Sequence, residues 1–399
     1  MTVDHDIVVA GAGCAGLSLA VHMIEAGMGG RRVLLLDPRE GYSRDRTWCA
    51  FRTLNHPFAR AVSHRWPRWL VHGGGRSVER GSALHPYEHI PADAFYREAL
   101  ARIDREPAIT LELGTRVESL EDRGDHVHIR TNRGDLHARL VLDSRPPRRD
   151  GLKKLSSAEP NFLSPSLFEV GFLQCFAGWR IRAEEPCFDP GVCTMMDFGV
   201  DQRDGIHFVY VLPFSEHDAL VEDTFFRAEP LPDEAYEENL AAWLARHGVE
   251  RYEVIDRERG VLPMTTERIE LAPSPRVIRI GLAGGLARPA TGYAFLAIQR
   301  HSRTLAQRLV HGEAPAPPFP RTARTLFLDR IFLSYLARHP DRAPELFATM
   351  FERAPPDALA RFLSEASSLR DDLRVMSALP ALPFATEAVR SSRLWMRAR

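Results

Sequence analysis

The sequence has few cysteines, almost no net charge and no long apolar run, and each shortage excludes a class of protein. Its five cysteines, at positions 14, 49, 175, 187 and 193, form no Cys-x-x-Cys pair. We therefore predict a reduced, cytosolic protein without a zinc cluster or other metal site. The 52 basic and 53 acidic residues leave a net charge of −1, which predicts no nucleic-acid partner.

Signals for membranes and secretion are equally sparse. No apolar run is long enough to cross a bilayer, and we expect no signal peptide before the first strand. The only lysines are Lys153 and Lys154, so nearly all the basic charge is arginine, which suits phosphate partners. The 399 residues are enough for two or three domains. The oligomeric state stays open.

The strongest motif lies in the first forty residues. Residues 5–10 predict a buried strand, residues 17–26 have the apolar spacing of a helix, and residues 33–36 predict a second strand that ends in Asp37. The turn between the first strand and the helix consists of Gly11, Ala12, Gly13, Cys14, Ala15 and Gly16. This order of strand, glycine turn, helix, strand and acid is typical of a dinucleotide site.

Each glycine of this turn has a distinct expected role. Gly11 permits the tight turn, Gly13 lets the backbone approach a pyrophosphate, and Gly16 lets the helix pack closely on the strand. The phosphates would lie at the helix N-terminus, where free N–H groups favour anions. Asp37 would accept hydrogen bonds from a ribose diol, which favours FAD or NAD over NADP. The alternative is a glycine turn that serves only packing.

The rest of the chain divides into regions of different predicted secondary structure. Residues 174–224 contain strands separated by Pro, Gly and acidic turns, which predicts a second domain built on an antiparallel sheet. Residues 276–281 then predict a strand, and Gly284 and Gly285 a second glycine turn at the start of a helix. A proline-rich linker, residues 314–320, precedes a helical region. The predicted division is 1–160 with 270–312 for the dinucleotide-binding domain, 161–269 for a β-rich substrate domain, and 321–399 for the C-terminal helices.

Two neighbouring acids in the second domain are candidate proton donors. Alternate side chains of a strand face opposite ways, so Glu222 and Asp223 cannot both point into one apolar pocket. The acid buried among aromatics such as Phe208, Tyr210 and Phe226 would have a raised pKa and could donate a proton. The alternative is that both are exposed strand carboxylates.

Several separate motifs resemble the bacterial flavin-dependent lycopene beta-cyclases. They are residues 45–49 (DRTWC), 220–224 (LVEDT), Gly260 with Pro263-Met264, 288–293 (RPATGY) and 339–347 (HPDRAPELF). The resemblance spans nearly the whole chain. It implies an α/β fold similar to the large FAD-dependent hydroxylases, with a Rossmann-like FAD-binding domain, an inserted antiparallel-sheet substrate domain and a C-terminal helical region.

The resemblance also implies an activity. Such an enzyme closes the linear ψ-ends of lycopene into β-ionone rings, towards γ-carotene and β-carotene, without net oxidation, as a step of carotenoid biosynthesis. FAD would act in its reduced form, with NAD(P)H as the electron source. Glu222 occupies the position of the family's essential carboxylate, which implies an acid/base role. Whether Glu222 or the reduced flavin gives the first proton stays open.

Further residues are assigned to the cofactor. Besides the glycine turn and Asp37, we assign Arg46, Val117, Gly284 and Gly285 to FAD binding. Trp48 either lines the cofactor pocket or serves packing.

The chain departs from the family's late motif, which usually reads HPTTGYS. It has Arg288, Ala290 and Ala294 at the three differing positions, and Ala50 separates Cys49 from the aromatic that commonly follows it. We expect these residues near the flavin or the polyene. A monocyclic or hydroxylated carotene, or a loss of activity, therefore stays open.

Two rival functions remain: a redox flavoenzyme on the same fold, either a hydroxylase or an isoprenoid reductase, and a carotenoid-binding protein without catalysis. A carotene is too apolar to cross water unaided, so a cyclase would attach peripherally to the cytoplasmic membrane through apolar patches on the second domain or the C-terminal region. The apolar stripe of residues 326–336 is interpreted as core more readily than as membrane contact.

Overall fold

The structure is a computed structural model that describes residues 3–145, 171–267, 269–315 and 321–397. The predicted domain boundary at residues 160 and 161, and most of the predicted linker, lie outside these residues.

The first sheet has seven strands and carries the glycine turn. Its strands are β1 (His5–Ala10), β2 (Val33–Asp37), β8 (Ile109–Leu113), β9 (Val117–Asp122), β10 (Val127–Thr131), β11 (Gly134–Asp143) and β17 (Val277–Arg279). The order is β8-β2-β1-β11-β10-β9, with β17 also paired to β11. The strands β8, β2, β1, β11 and β17 pair parallel with one another, whereas β10 pairs antiparallel with β11 and β9. Val8, Val9, Leu34 and Leu35 are fully buried, because both faces of such a sheet are covered.

Three helices cover one face of this sheet. They are α1 (Cys14–Glu25), α2 (Ala92–Ile103) and α4 (Phe295–Val310), which share one apolar core with the sheet. Helix α1 ends as predicted near Gly27, which has a left-handed φ of 88°. Gln299 of α4 donates to Ser18 of α1 at 2.8 Å, so the late helix is fixed directly to the first one.

The second sheet also has seven strands, ordered β16-β12-β15-β14-β13-β5-β6. Their bounds are β5 (Arg68–Gly73), β6 (Arg76–Gly81), β12 (Gly171–Ala183), β13 (Val192–Asp197), β14 (Ile206–Pro213), β15 (Asp218–Arg227) and β16 (Tyr252–Thr265). All pairs are antiparallel except β13 with β5. Residues 68–81, which the sequence assigns to the first part of the chain, thus belong to this sheet.

A helix and a small sheet complete this region. Helix α3 (Asp233–Arg246) packs its apolar side, including Leu240 and Trp243, on one face of the second sheet. The third sheet contains β3 (Thr47–Phe51), β7 (Tyr87–Pro91) and β4 (His64–Trp66), in the order β3-β7-β4. Short 3-10 turns lie at Met28–Gly30, Ala59–Ala61 and Pro340–Arg342.

The C-terminal region contains α5 (Ala323–Arg338), α6 (Ala343–Arg353), α7 (Pro356–Leu363), α8 (Leu369–Ser377) and α9 (Ala381–Arg397). Ile331, Tyr335 and Leu336 of the predicted apolar stripe are buried, and Tyr335 and Leu336 belong to a core with side chains of the second sheet. Among the helices of the described residues, none combines the length and apolarity needed to span a bilayer.

The predicted fold class is confirmed: a parallel, Rossmann-like layer is combined with a mostly antiparallel sheet and C-terminal helices. One local expectation is wrong. Gly284 and Gly285 do not lie at a helix start, because α4 begins only at Phe295. The intervening residues form the turn that carries Arg288.

Candidate active site

The glycine turn has the geometry that its sequence predicts. Gly11 has a φ of +103°, a conformation that favours glycine. A Cβ on Gly16 would lie 2.2 Å from the Gly11 carbonyl oxygen, so only glycine allows this helix-to-strand contact. Gly13 begins α1 without a side-chain cap, and the nearest atom to a Cβ there would be Arg39 Nη2 at 3.8 Å. The turn therefore leaves open space in front of the helix N-terminus.

Asp37 braces this turn from the end of β2. Its Oδ2 accepts a hydrogen bond from the Ala12 N–H at 2.7 Å, and its Oδ1 accepts one from Arg39 Nε at 2.8 Å. The Arg39 guanidinium also lies 4.9 Å from the ring centre of Tyr42. Arg39 is a candidate phosphate ligand that we did not predict. Its position two residues after the acid, facing the glycine turn, was the available signal.

The other predicted cofactor residues lie around the same helix end. Arg46 is close enough to Cys14 to act on it electrostatically and donates to Asp45 at 3.0 Å. Burial raises the pKa of the Cys14 thiol to about 12, so this side chain brings no negative charge to a phosphate site. Trp48 packs edge-on against Phe95, with ring centres 5.0 Å apart, and thus contributes to the core.

Val117 lies beside the end of β11. Its carbonyl accepts a hydrogen bond from Arg145 Nη1 at 3.0 Å, while Arg145 also binds both carboxylate oxygens of Asp143 at 2.8 Å. The side chain of Val117 is buried.

The second glycine turn meets the first. A Cβ on Gly281 would lie 2.7 Å from the Cβ of Ala15, and Gly285 has a φ of +70°. Arg321, which is buried, donates to the carbonyls of Gly285 and Leu286, the latter at 2.9 Å. The segment before the second glycine turn thus contacts the first turn through Gly281 and Ala15, and the C-terminal region holds Gly285 and Leu286 through Arg321.

The side chain of Arg288 is buried against the C-terminal helices. It is 1% exposed and its Nη2 lies 2.8 Å from Oδ1 of Asp329 on α5. Its guanidinium also lies 4.8 Å from the ring centre of Phe362 on α7. The charge of Arg288 is thus neutralised within the helical core. Ala50, another of the residues that depart from the family pattern, lines the cleft described next. That these residues lie near the flavin or the polyene stays a prediction.

An apolar cleft lies between β3 and the first turn of α4. Its lining includes Cys49, Ala50, Tyr293 and Phe295. Tyr87 donates to Tyr293 across 3.1 Å at its margin, and burial raises the pKa of both phenols. The cleft is thus lined largely by uncharged side chains.

Four residues of the second sheet form one row across four strands. Tyr210 of β14 pairs with Glu222 of β15, Glu222 pairs with Gly178 of β12, and Gly178 pairs with Glu258 of β16. Residues directly opposite one another share a face. Two glutamates therefore flank a glycine.

Glu222 and Asp223 lie on opposite faces, as the strand alternation predicts. Asp223 is fully buried beneath α3, where it binds His207 at 2.5 Å and Asn239 at 2.8 Å. Glu222 is partly accessible and lies in the row with Tyr210. Burial, followed by the negative charge of Glu258, raises the pKa of the Glu222 carboxyl well above its usual value. Glu222 is therefore the candidate proton donor of the two acids, because its pKa is raised.

Glu258 is the site residue that we did not predict. The Thr47 hydroxyl lies close enough to the Glu258 carboxyl to favour its carboxylate form, and Glu258 lines a cavity together with Arg44, Thr47 and Arg180. Burial raises its pKa as well. Its position two residues before Gly260, on the same face of the strand, was the available signal. In the part of the chain that the structure describes, no three His, Cys, Asp or Glu side chains are grouped as a metal site requires.

Comparisons with known proteins agree with this architecture. A family described as lycopene cyclase protein matches residues 6–389. A lycopene beta-cyclase of Paracoccus sp. (strain N81106 / MBIC 01143) is 28% identical to this chain, and the alignment covers 96% of each protein. A lycopene beta-cyclase of Pantoea ananas is 26% identical to this chain, and the alignment covers 96% of this chain and 97% of that protein.

Solved structures share the fold at low identity. A flavoprotein/dehydrogenase of Cytophaga hutchinsonii aligns with a TM-score of 0.63 at 14% identity, over 98% of this chain and 99% of that one. A geranylgeranyl bacteriochlorophyll reductase-like protein of Thermoplasma acidophilum aligns with a TM-score of 0.61 at 12% identity, over 96% of this chain and 98% of that one. Aklavinone-11 hydroxylase in complex with FAD and aklavinone aligns with a TM-score of 0.55 at 17% identity, over 78% of this chain and 63% of that one. These neighbours establish the fold, and the match over nearly the whole length shows that the chain belongs to the lycopene cyclase family.

Proposed function

We propose that this protein is a lycopene beta-cyclase that closes the linear ψ-ends of lycopene, or of a related carotene, into β-ionone rings by acid/base catalysis. The observation that carries the proposal is Glu222, a carboxyl with a strongly raised pKa on the face of the second sheet opposite to the Asp223 hydrogen-bond network. A reaction that adds and removes a proton needs such a group.

The cofactor of the proposal is FAD in its reduced form, with NAD(P)H as the electron source. The residues fit a dinucleotide: Gly13 leaves open space at an uncapped helix N-terminus, and Arg39 lies beside it. Arg39 and Arg46 would bind the phosphates and Asp37 the ribose. The cleft at Tyr293 and the start of α4 would take the ring system. When bound, the reduced flavin supplies negative charge that stabilises a carbocation.

Glu222 carries the proton chemistry of the proposal. Its protonated carboxyl gives a proton to a terminal alkene carbon, and a second double bond attacks the resulting cation and forms the ring bond. The carboxylate of Glu222 then takes a proton from the carbon next to the new cationic centre, which creates the ring double bond. The product is an isomer of the substrate, and Glu222 ends in its starting state.

Two neutral neighbours of Glu222 help this sequence. Burial raises the pKa of Tyr210 and Cys49, so both side chains stay neutral near the carboxyl. Because burial lowers the effective dielectric constant around Glu222, its carboxylate acts more strongly on developing positive charge than it would in water.

The test is an anaerobic incubation of the flavoprotein with lycopene in liposomes after chemical reduction of FAD. We expect a product isomeric with lycopene while the flavin absorbance stays that of the reduced form, and no product with Glu222→Gln. The control is Glu253→Gln, an exposed acid on β16, which should retain activity. Product that forms only as flavin is reoxidised would identify a hydroxylase or reductase instead.

We further propose that α8 attaches the protein to the cytoplasmic membrane surface. Three apolar side chains of this helix face outwards: Leu369, Leu373 and Met376 are 60%, 57% and 44% exposed, whereas Asp371 and Asp372 are buried. The buried acids are paired with Arg361 and Arg324, at 2.7 and 2.8 Å.

The exposed side of α8 fits a lipid surface in charge as well as in apolarity. Leu369, Leu373 and Met376 lie at spacings of four and three residues, which places them on one stripe. Arg370 and Arg374 are exposed beside them, and arginines next to an apolar stripe favour anionic headgroups. A bilayer is also where the substrate of the proposed reaction dissolves.

A further inference from the structure

A gap over Gly178 brings together two carboxyl groups from strands that are not neighbours. Strands β15 and β16 both pair with β12, and adjacent strands lie about 4.8 Å apart, so Glu222 and Glu258 start about two strand spacings from each other. A Cβ on Gly178 would lie 2.6 Å from Cγ of Glu222 and 3.4 Å from Cγ of Glu258. Both side chains therefore lean over the glycine and fill the space that any other residue would occupy.

We propose that Glu222 and Glu258 share one proton across Gly178, and that Glu258 is the positioning residue that keeps Glu222 protonated at neutral pH. This inference deepens the proposed function and rests on the acid/base role given there to Glu222. The two carboxyl groups are within hydrogen-bonding reach of each other. Two carboxyl groups in such contact cannot both ionise at low cost, so the second proton is held strongly.

The surrounding charges decide which of the two carboxyls ionises first. On the Glu258 side lie the Thr47 hydroxyl and the cation of Arg44, both of which favour its carboxylate, against Asp256, which opposes it. Arg180 lines the same cavity but is bound to both oxygens of Asp218, at 2.9 and 3.0 Å.

The groups on the Glu222 side are neutral. Burial keeps Cys49 and Tyr210 protonated. His89 lines the cavity on the Glu258 side, and burial lowers its pKa to about 3, so it adds no positive charge there. Glu258 therefore takes the negative charge and Glu222 keeps the proton.

The pair accounts for both proton steps without another reactant. Proton donation by Glu222 leaves two facing carboxylates, and their repulsion favours the return of a proton from the ring carbon to Glu222. Charge and proton number are the same before and after each ring closure, and Glu258 never touches the substrate in this scheme.

The test follows the Glu222 proton directly in the purified flavoprotein, without a carotene. Infrared difference spectra over a pH titration report the C=O stretch of a protonated carboxyl. Wild type should keep this band at neutral pH and Glu222→Gln should lose it. In Glu258→Gln the band should disappear at a pH lower by about one unit or more, because the like charge is gone. In Glu258→Asp the band should disappear at a pH between those of wild type and Glu258→Gln, and in Glu253→Gln it should disappear at the same pH as in wild type.

Activity gives a second, separate readout. The alkaline limb of the pH–rate profile of Glu258→Gln should shift to lower pH by the same amount, so that activity falls about tenfold or more at mildly alkaline pH and recovers towards acid pH. An equal loss at every pH with an unmoved infrared band would overturn the proposal and leave Glu258 a structural role.

The two proposals fail in distinguishable ways. A wild type that does not cyclise lycopene but shows the shift of the infrared band on Glu258→Gln would overturn the proposed function and support the proton pair. If Glu258→Gln does not fold, Gly178→Ala offers the same test, because the added Cβ must push Glu222 away from Glu258. An unchanged titration of Glu222 in that variant would overturn the pair.

Discussion

Arg288 and Asp329 form an ion pair that is almost completely buried, with Nη2 2.8 Å from Oδ1. Arg288 Nη1 also donates to the carbonyl of Phe362. The pair therefore ties the turn after the second glycine motif to helices α5 and α7. The charge at position 288, which departs from the family's usual histidine, is thereby matched inside the fold.

Breaking this pair on one side should destabilise the protein strongly. We expect Arg288→Met or Asp329→Leu alone to lower the free energy of unfolding by about 3–5 kcal/mol, because each leaves an unpaired buried charge. The double variant should recover much of this loss, since both charges are then gone. Denaturant titration of wild type, the two single variants and the double variant measures the coupling. A double variant whose loss in free energy of unfolding equals the sum of the two single losses would contradict the account.

Gly16 should be indispensable for the flavin site. A Cβ there would meet the Gly11 carbonyl oxygen at 2.2 Å, and neither atom lies on a flexible side chain. Gly16→Ala should therefore move α1 off the turn, reduce the flavin content of the purified protein and cost about 1–3 kcal/mol of stability. The flavin-to-protein absorbance ratio measures the first effect. The control is Gly41→Ala, where a Cβ meets nothing within 4 Å, and an equal loss of flavin there would contradict the explanation.

The raised pKa of Glu222 predicts a pH-dependent cost to folding. The folded state holds a proton that the unfolded chain releases above its ordinary glutamate pKa of about 4.3, so unfolding becomes easier as pH rises from there through the folded pKa. Glu222→Gln removes this penalty. Its stability relative to wild type should be smallest near pH 4 and should grow by about 1.4 kcal/mol for each pH unit within that window.

Urea titrations at several pH values measure this difference, with Glu253→Gln as the exposed control on β16. A stability difference between Glu222→Gln and wild type that does not change with pH would show that Glu222 titrates as an ordinary acid.

Membrane attachment should depend on the exposed stripe of α8. Leu373→Glu should reduce flotation of the protein with liposomes of mixed neutral and anionic lipid, because it places a charge in the apolar contact. Leu84→Glu is the matched control, since Leu84 is also exposed, at 61%, but lies outside the C-terminal helices. Equal flotation of Leu373→Glu and wild type would remove α8 from the account.

The local motifs could be predicted from sequence because their physical signals are short-range. The left-handed turn at Gly11, the helix that follows it and the alternation of Glu222 and Asp223 all depend on neighbours in the chain, and the structure has each of them. The pairing of residues 68–81 with the second sheet could not be predicted, because strand partners distant in sequence leave no local pattern.

The site residues that escaped prediction depend on tertiary contacts. Glu258 matters because Gly178 leaves a gap between two strands. Its spacing from Gly260 places it on a strand face but does not reveal that gap, because Gly178 lies on another strand. Arg288 belongs to a motif that continues to Gly292 and Tyr293, which favours a pocket position. Its side chain instead pairs with Asp329, forty-one positions later, within the helical core. The roles of Glu222 and the cofactor residues stay predictions until they are measured.

The most direct test of the central claim is the number of flavin molecules oxidised for each ring formed. Reduced flavoprotein and lycopene liposomes are mixed without oxygen, and product rings and flavin absorbance are counted in the same sample over several turnovers. The account predicts many rings for each flavin, with the flavin still reduced at the end and no rings in Glu222→Gln. One flavin oxidised for each product molecule, or full activity in Glu222→Gln, would contradict it.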